Sequence, residues 1–517
     1  MSQSSRVDPH ASGSSVTPVE RSLLFSASER YFSVLLSILS TGVLARLLAP
    51  WEFGVYAVVS GLTSVATASF QEFGGANYII QKKVLSERDI RTAFTVTFGM
   101  SLAFAAVLFG SRHAVATFFG QPGLDNGLGV LCSTFLLTPF SVTTAALLRR
   151  DMQFGPIAFS TLGANIANAA TAVVLAWFGF SFMAPVWGAV AGAGVLAVLL
   201  VASRGSPSHF RPSLVGAGSV FHFGLYSSAV VIVNVFAQSF PQFILGRLAN
   251  FSAVGLYGRG ASITQLFDRL ILQVLNPVIM PAIFAETRAG GDLQRIYLGA
   301  ITLISVVQWP FLIFLAIFCE PIIAIWLGQA WLPVAPIVRL LCFASLALFA
   351  ACLTYPTLVA IGRLRDTLAA TLITLPPSLA VIWVAAPHGA EAVAAAALLA
   401  FPLQAIVSIG LVAYRLQISL TSMLRAVEKS LVVVGFAMTA PVVVLVFTHV
   451  AAPGRPLGLA GLCGAGLLAI GGWFLGLQAT GHPLLDHIRG TFARALASAR
   501  RFLPAREGVA GQKAESL

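Results

Sequence analysis

Arginine and amide side chains recur at helical spacing in one segment that is otherwise apolar, residues 254–283. The set consists of Arg259, Gln265, Arg269, Gln273 and Asn276. At about 100° per residue these side chains fall within one arc of a helix. Arginine stays protonated and binds phosphate oxygens through paired hydrogen bonds, so the pattern predicts a site for an anionic headgroup. A stripe of this polarity is costly against lipid, so we expect it to line a hydrated cavity.

Polar stripes also follow the first, second and seventh apolar segments of the chain. Their members are serines and threonines together with Glu29, Arg30, Glu72, Asn234 and Gln238. Small hydroxyl side chains often pack membrane helices together, which would account for the serines. Packing accounts poorly for the arginine, amide and carboxylate groups on the same arcs. We therefore expect all four stripes to face one shared cavity.

The charged members of these stripes allow two interpretations. In the first, Arg259 and Arg269 hold the headgroup in turn, about 15 Å apart along a regular helix, while Arg30 acts from the opposite side. In the second, Arg30 pairs with Glu72 and Arg269 with Glu29, because intramembrane charges usually need partners. The candidates for ion coupling or ion pairing are Glu29, Glu72 and Asp268, the last of which lies off the stripe of its helix.

A short motif occurs twice at one constant offset of 201 residues. It comprises Arg46, Gly54 and Tyr56 in the first copy, and Arg247, Gly255 and Tyr257 in the second. A match that holds register without gaps indicates duplication, and facing copies of a helical unit are a common transporter design. We predict structural roles for these residues. The glycines would permit a close helix contact, and the arginines would cap the carbonyls of the preceding helices.

The same offset relates the polar stripes to each other. It aligns Ser64 with Gln265 and Glu72 with Gln273. The duplication therefore covers the polar faces as well as the turn motif. It predicts that the first, second, seventh and eighth helices line the cavity together.

The composition is that of a polytopic membrane protein. Of the 517 residues, 57% are hydrophobic and 10% are charged, with a mean hydropathy of +0.87, whereas a soluble domain has about 25% charged residues. Apolar segments of about 20 residues, the length that crosses a bilayer core, recur along the chain. We predict an all-α fold with fourteen membrane helices. Their approximate ranges are 22–45, 54–80, 91–110, 127–148, 155–179, 182–203, 218–245, 254–283, 296–318, 334–361, 367–386, 390–414, 431–449 and 457–478.

The predicted helices form two pseudo-symmetric six-helix lobes and two additional C-terminal helices. The predicted division is a disordered tail at 1–20, an N-lobe at 21–203, a linker at 204–217, a C-lobe at 218–415, the last two helices at 431–478 and a basic tail at 479–517. The first tail lacks an apolar core and does not resemble a signal peptide.

Basic side chains lie mainly on one side of the predicted membrane. With both termini inside, the outer connections hold only Arg46, Arg112, Arg247 and Arg455 of the 31 Lys and Arg residues, and most of the others lie in inner connections and tails. This distribution follows the positive-inside rule and predicts cytoplasmic termini. Orientation thus explains the net charge of +12, and nucleic acid is not an expected partner.

Four stretches of the chain resemble a known transporter family. They are Leu44-Ala45-Arg46-Leu47-Leu48-Ala49-Pro50-Trp51-Glu52-Phe53-Gly54-Val55-Tyr56, then Phe73-Gly74 with Ile79-Ile80-Gln81, then 146–154, and then Ala360-Ile361-Gly362-Arg363. As a set spanning about 20–415, they are similar to the polysaccharide-transporter branch, the Wzx-type oligosaccharide flippases, of the multidrug/oligosaccharidyl-lipid/polysaccharide exporter superfamily. Ala49 replaces a glycine that is usual at its position.

The resemblance implies two lobes in a V shape and alternating access between them. It implies a substrate, undecaprenyl-pyrophosphate-linked oligosaccharide, that crosses from the inner to the outer leaflet of the bacterial inner membrane during exopolysaccharide, capsule or O-antigen synthesis. Its other expected partners are membrane lipids, a polysaccharide polymerase and a co-polymerase. No cofactor and no metal are expected.

Other functions stay open at this point. A lipid II flippase or a cation-coupled drug exporter of the same superfamily would share the helix count. A drug exporter favours excess acids in its cavity, whereas the stripes here carry three arginines against Glu29 and Glu72. A polytopic glycosyltransferase or polymerase would need paired carboxylates at a membrane face. The outer connections offer only isolated acids, so we do not expect an enzyme.

Overall fold

The computed structural model describes residues 18–73, 75–204, 206–272, 291–451, 457–486 and 488–490, without the side chains of 18–28, 70–73, 219–230, 364 and 449–451. This part of the chain consists of helices and their connections, with no β-strand. Its α-helices are α1 (Pro18–Leu47), α2 (Pro50–Phe73), α3 (Ala76–Gln81), α4 (Glu87–Phe119), α5 (Gly123–Leu131), α6 (Thr134–Arg150), α7 (Phe154–Trp177), α8 (Met183–Arg204), α9 (Ala217–Leu248), α10 (Phe251–Thr264), α11 (Leu293–Ile317), α12 (Cys319–Trp326), α13 (Ala335–Ser345), α14 (Thr354–Ala360), α15 (Leu364–Ala385), α16 (Ala390–Leu416), α17 (Leu420–Ala451) and α18 (Leu459–Thr480).

Twelve helical stretches among the described residues are long and apolar enough to cross a membrane. The prediction of an all-α polytopic membrane protein is confirmed. The two other predicted spans are α2 and the segment that starts with α10. Their polar stripes lower their hydropathy, and part of each lies outside the described residues. The count of fourteen therefore stays a prediction.

Several predicted helices are interrupted rather than continuous. The predicted span 127–148 is divided into α5 and α6, and the span 54–80 into α2 and α3. The eighth predicted helix ends as α10 at Thr264, and a π-helical turn follows at Asp268–Leu272. A π turn holds an extra residue per turn, so it changes the direction of every side chain that follows.

The helices pack mainly within two halves of the chain, which we define as α1–α8 and α9–α16. In the first half, α7 packs along α1 and α8. In the second half, α16 packs against α13 and α15. Helices α17 and α18 pair with each other, and α17 also packs against α11. The correspondence of these halves to two lobes stays a prediction.

Apolar side chains join the two halves at one end of the molecule. We call it the closed end and define it by the turns at Arg46–Gly54 and Arg247–Gly255. One cluster there combines Val55, Val58 and Leu128 with Leu245 and Val254 of the other half, all of them buried. Removing these surfaces from water and lipid holds the halves against each other at this end.

Arg150 organises the first half at the opposite end. Its guanidinium donates hydrogen bonds to the carbonyl oxygens of Ile79, Lys82 and Lys83 at 2.5, 2.7 and 3.2 Å. The last carbonyls of a helix favour a cation, so Arg150 fixes the end of α3. Arg150 lies in the stretch 146–154 that shows the family resemblance, and this contact gives one of its residues a structural role.

Candidate functional site

The two motif glycines face each other where α2 meets α10. A β-carbon on Gly54 would lie 1.8 Å from the carbonyl oxygen of Phe251, and one on Gly255 would lie 1.9 Å from that of Pro50. The contact is reciprocal, because the offset of 201 also relates Pro50 to Phe251. Only a residue without a β-carbon permits this approach. The structure thus brings the two copies of the motif into direct contact at the closed end.

In each copy of the motif, a side chain accepts a hydrogen bond from a backbone N–H group at the turn. The Ala49 N–H donates to Glu52 Oε2 at 2.6 Å, and the Ala253 N–H donates to Asn250 Oδ1 at 2.8 Å. The offset relates Ala49 to Asn250 and Glu52 to Ala253. Donor and acceptor positions are therefore exchanged between the copies. Both arrangements supply an acceptor where a helix start leaves N–H groups without partners.

Arg46 does not cap its own helix as the sequence predicts. Its Nη2 donates instead to the carbonyl oxygen of Ile325 at 2.8 Å, near the end of α12 in the other half. The Trp331 Nε1 donates to the carbonyl oxygen of Ala45 at 2.7 Å beside it. The end of a second helix presents the same partial negative charge as its own, and tertiary packing brings α12 within reach.

The other motif residues also lie at the closed end. The guanidinium of Arg247 lies over the ring of Phe118, 5.1 Å from its centroid, and does not cap a helix. Tyr257 is buried in the cluster that joins the halves, and Tyr56 packs against this cluster. The repeated motif thus supplies contacts between and within the halves.

Arg259 is the first residue of the polar stripe on α10, next to the closed end. Its guanidinium lies over the ring of Phe53, 3.8 Å from the centroid. Phe53 is itself held by an edge contact with Trp331, with ring centroids 5.3 Å apart. A cation–π contact uses the face of the guanidinium and leaves the N–H donors at its edge for other partners.

Arg259 and Arg269 are not paired with described carboxylates. In the part of the chain with described side chains, no carboxylate oxygen lies within 4.0 Å of either guanidinium. The separation of about 15 Å expected for a regular helix stays a prediction, because a π-helical turn at Asp268–Leu272 follows α10. Two cations without a described carboxylate partner are suited to an anion with several oxygens.

Glu29 has a different partner from the one considered in the sequence analysis. It accepts a hydrogen bond from Ser33 Oγ at 3.0 Å, and Ser33 Oγ accepts one from Asn165 Nδ2 at 2.9 Å. Among the described side chains, the alternative pair of Arg269 with Glu29 does not form. Arg30 is half-buried on α1. Its pairing with Glu72 stays a prediction, because the Glu72 side chain lies outside the described residues.

Four polar residues of the predicted stripes are exposed. They are Ser64 on α2, Asn234 and Gln238 on α9, and Gln265 directly after α10. The helices α2, α9 and α10 meet one another at the closed end. This placement agrees with a hydrated space between the halves. Gln273 and Asn276, predicted to extend the same stripe, lie outside the described residues.

Asp268 does not point away from the polar stripe as the sequence predicts. It lines the same cavity as Gln265, together with Gln308. Three residues at about 100° each place Asp268 only about 60° from Gln265 around the helix, so both side chains can reach one space. The π-helical turn begins at Asp268 and redirects the residues after it.

The two helix pairs that the duplication relates are packed unequally. Helix α2 packs along α9. Because the duplication relates α2 to α10 and α9 to α1, a symmetric molecule would have α10 packed along α1 in the same way. Among the described residues, α1 packs instead mainly against α7 of its own half, and it contacts the π-helical turn that follows α10.

The sequence patterns did not identify three residues of the site, which are Phe53, Trp331 and Asn165. Phe53 lies inside the repeated turn motif, but its position does not reveal a ring beneath an arginine. Asn165 is an amide inside the apolar segment 155–179, and this signal could have identified it. Trp331 offered no such signal, because its contacts with Phe53 and Ala45 depend on the packing of distant segments.

We expect cysteines placed at Ser64 and Gln265 to react with a small water-soluble thiol reagent. Cysteines placed at Glu72 and Gln273 should react with it as well. A cysteine at Val58 should react slowly, because Val58 is fully buried whereas Ser64 and Gln265 are exposed. The measurement needs a background without native cysteines, since Cys463 is exposed. Equal labelling at all positions would mean that the stripes are packing seams.

A family model described as "Polysaccharide biosynthesis protein" matches residues 43–336, which is more than half of the chain. The chain belongs to this family. The match begins just before the first copy of the turn motif and extends past the second, so it includes α2, α9 and α10 and the last residues of α1.

Curated relatives agree with this membership. The chain is 22% identical to the lipopolysaccharide biosynthesis protein WzxC of Escherichia coli (strain K12) over 316 residues, which are 60% of this chain and 63% of WzxC. It is 24% identical to the succinoglycan biosynthesis transport protein ExoT of Rhizobium meliloti (strain 1021) over 338 residues, which are 63% of this chain and 66% of ExoT. The matches thus span less than two thirds of each relative.

Solved structures share the fold. A lipid II flippase, MurJ, in an inward closed conformation superposes with a TM-score of 0.73 at 11% identity, over 90% of this chain and all of MurJ. An inward-facing multidrug resistance transporter of the MATE family gives 0.61 at 15% identity, over 76% of this chain and 98% of that one. Such low identity shows the fold alone. Together with the family, it makes this chain a multi-pass membrane protein of the polysaccharide biosynthesis family.

Proposed function

We propose that this transporter is a flippase that moves undecaprenyl-pyrophosphate-linked oligosaccharide from the inner to the outer leaflet by alternating access. One observation carries the proposal. Arg259 and Arg269 have no described carboxylate partner and lie on the segment that leads away from the closed end. A pyrophosphate has several strong acceptor oxygens. It can enter a low-dielectric space only if opposing charges stand in the wall.

The three arginines of the polar stripes have no equivalents in the other copy of the duplicated unit. The offset of 201 relates Arg259 to Val58, Arg269 to Ala68 and Arg30 to Val231. The duplication therefore extends to the turns and to the polar character of the stripes, but not to these three arginines. We propose that the second half, with Arg259 and Arg269, holds the headgroup, while Arg30 acts from α1. Hydroxyl groups of the glycan would bind to amide side chains of the stripes, those of Gln265, Gln273, Asn276, Gln238 and Asn234.

The unequal packing of α1 and α9 supports a path for the lipid. We propose that the headgroup enters between the halves on the side of α1 and α10, while the polyprenyl chain stays in the bilayer. Exposed apolar residues of α1, including Leu35 and Leu39, would then contact lipid. Apolar side chains at a membrane opening avoid the cost of carrying the polyprenyl chain through a hydrated cavity.

We propose that the closed end faces outward and that both termini are cytoplasmic in the bacterial inner membrane. The distribution of basic residues supports this orientation. Arg150 and the ion pair of Asp151 with Arg204 lie at the opposite, more basic end. The polymer would be an exopolysaccharide, a capsule or an O-antigen, and a polymerase and co-polymerase would act on the translocated unit.

Deletion of the gene should stop polymer export and cause a lipid-linked oligosaccharide to accumulate with its glycan on the cytoplasmic side. An impermeant lectin or glycan-oxidising reagent should fail to label this intermediate in intact spheroplasts and should label it after lysis. Accumulation with the glycan already outside would contradict the flippase and indicate a later step. Accumulation of lipid II, or sensitivity to cationic drugs alone, would favour the alternative transport functions.

A further inference from the structure

The ring of Phe53, in the first half, contacts two side chains of the second half. Phe53 lies near the start of α2 and is 2% exposed. The Arg259 guanidinium lies on the face of the ring, 3.8 Å from its centroid, and the Trp331 indole meets it edge-on, with ring centroids 5.3 Å apart. Arg259 belongs to α10, and Trp331 belongs to the short 3₁₀-helix Gln329–Val334. Both contacts of the ring therefore join opposite halves of the molecule.

Trp331 is held in place by the contact between the halves. It is fully buried, and its Nε1 donates to the carbonyl oxygen of Ala45 near the end of α1. The same segment of the second half is tied to α1 again, because Trp326 Nε1 donates to the carbonyl oxygen of Ile38 at 2.9 Å. The bond from Arg46 described above is a third tie between them. The surroundings of the Phe53 ring thus depend on closure of this end.

Contact with the ring changes what Arg259 offers to a ligand. An arginine side chain has more rotamer freedom than most residues, and this freedom is lost when a ligand fixes the guanidinium. Stacking on Phe53 fixes the plane of the guanidinium beforehand and leaves its edge donors available. A ligand that meets an ordered group binds more tightly, because less freedom is lost on binding. The Phe53 contact therefore raises the affinity of Arg259 for an anion.

We propose that Phe53 is a positioning residue that prepares Arg259 for the pyrophosphate headgroup, and that it does so while the closed end is sealed. Separation of the halves at this end would remove the ring from Arg259 and Trp331 together, because both contacts join opposite halves. The headgroup would then bind more tightly before the closed end opens than afterwards. This difference favours release of the headgroup after opening. The inference rests on the proposed flippase function and adds a regulation of its site.

Binding of farnesyl pyrophosphate, a short polyprenyl pyrophosphate without a glycan, to the purified full chain in nanodiscs tests this role. Phe53→Leu removes the ring and keeps an apolar side chain, so binding should weaken by about fivefold or more, the effect of losing a desolvated cation–π contact. Trp331→Leu should also weaken binding, because it removes the support of the ring. Phe53→Tyr keeps an aromatic face and should recover most of the binding that Phe53→Leu loses.

Phe94→Leu is the matched control, and we expect it to bind farnesyl pyrophosphate as the unchanged protein does. Phe94 is another buried ring of the first half, and it has an edge contact with Phe210, with ring centroids 5.1 Å apart. It lies on α4, whereas Phe53 lies on α2. The control therefore measures the effect of removing a packed aromatic ring that does not support Arg259.

The Arg259→Ala background separates positioning from a purely structural role. In this background, Phe53→Leu and Trp331→Leu should cause no further loss of binding, because the ring has no guanidinium to position. A ring that only stabilised the fold would lower binding equally in both backgrounds. Size-exclusion profiles and thermal unfolding should show that the variants are folded. If Phe53→Leu does not fold, Trp331→Leu with and without Arg259 answers the same question.

Unchanged binding by folded Phe53→Leu would overturn the inference, and so would an equal loss of binding with and without Arg259. Absence of farnesyl pyrophosphate binding by the unchanged protein would overturn it as well. In each of these cases, a lipid-linked intermediate with its glycan on the cytoplasmic side of the deletion strain would still support the flippase function. Absence of that intermediate would contradict the flippase function even if binding depends on Phe53. The two proposals are therefore tested separately.

Discussion

Gly255→Ala is expected to reduce polymer export by about tenfold or more. The added β-carbon would lie 1.9 Å from the carbonyl oxygen of Pro50, so α2 and α10 would have to separate. Overpacking of this kind costs about 1–3 kcal/mol, and about 1.4 kcal/mol corresponds to a factor of ten in population. The cost falls on the contact between the halves. The arrangement with a sealed closed end is therefore depopulated, and the helices themselves stay folded.

Export and membrane abundance should be measured together with reactivity of a cysteine at Val58. This residue is buried in the closed-end cluster, so its labelling by an impermeant reagent should rise in the Gly255→Ala background. Gly54→Ala should act in the same way, because its β-carbon would lie 1.8 Å from the carbonyl oxygen of Phe251. Gly258→Ala is the matched control on α10, since its β-carbon would meet Gln242 at an ordinary 3.8 Å. Normal export by Gly255→Ala would show that the halves need not touch here.

Arg259→Ala and Arg269→Ala are each expected to lower export by about tenfold to a hundredfold, the effect of losing charge-assisted hydrogen bonds to a phosphate group. Abundance should change little, because neither residue forms an ion pair with a described carboxylate. The lipid-linked oligosaccharide should accumulate. Lysine at either position should restore only part of the export, since it keeps the charge and loses the bidentate geometry.

Arg295→Ala is the control for these variants, because Arg295 is an exposed arginine in the first turn of α11. A separate comparison addresses Arg30. Recovery of export in an Arg30→Ala, Glu72→Ala double variant would show that Arg30 serves as an ion-pair partner and not as a headgroup ligand. Full export by Arg259→Ala and Arg269→Ala would contradict the proposed site.

The predictions that depended on periodicity and on chain register agree best with the structure. The long apolar segments appear as helices. Ser64, Asn234 and Gln238 are exposed within theirs, and Gln265 is exposed directly after α10. The offset of 201 anticipated that Gly54 and Gly255 are equivalent. Their reciprocal contact is a consequence of two similar units meeting face to face. Regular helices repeat every 3.6 residues, so a side chain's direction follows from its position alone as long as the helix is unbroken.

Interruptions and long-range contacts limited the other predictions. Asp268 was predicted off the stripe but lines a cavity with Gln265, and the π-helical turn that begins at Asp268 redirects the residues after it without a clear mark in the sequence. Arg46 reaches Ile325 across 279 residues of chain, which no local pattern can indicate. The same holds for three side chains of the site. Arg259 contacts Phe53, and Gln308 is buried, only because helices far apart in sequence pack together.

For this protein, the sequence by itself determined a polytopic helical membrane protein, its duplication, its polar faces and its family. These properties depend on composition, helical period and register, which are local or repeated along the chain. Only the tertiary structure decided that the motif copies touch, that Arg259 lies over Phe53, and that Asp268 and Gln308 share a cavity. The physical reason is that close contacts depend on differences of one or two ångströms between helices far apart in sequence, and periodicity does not specify such distances.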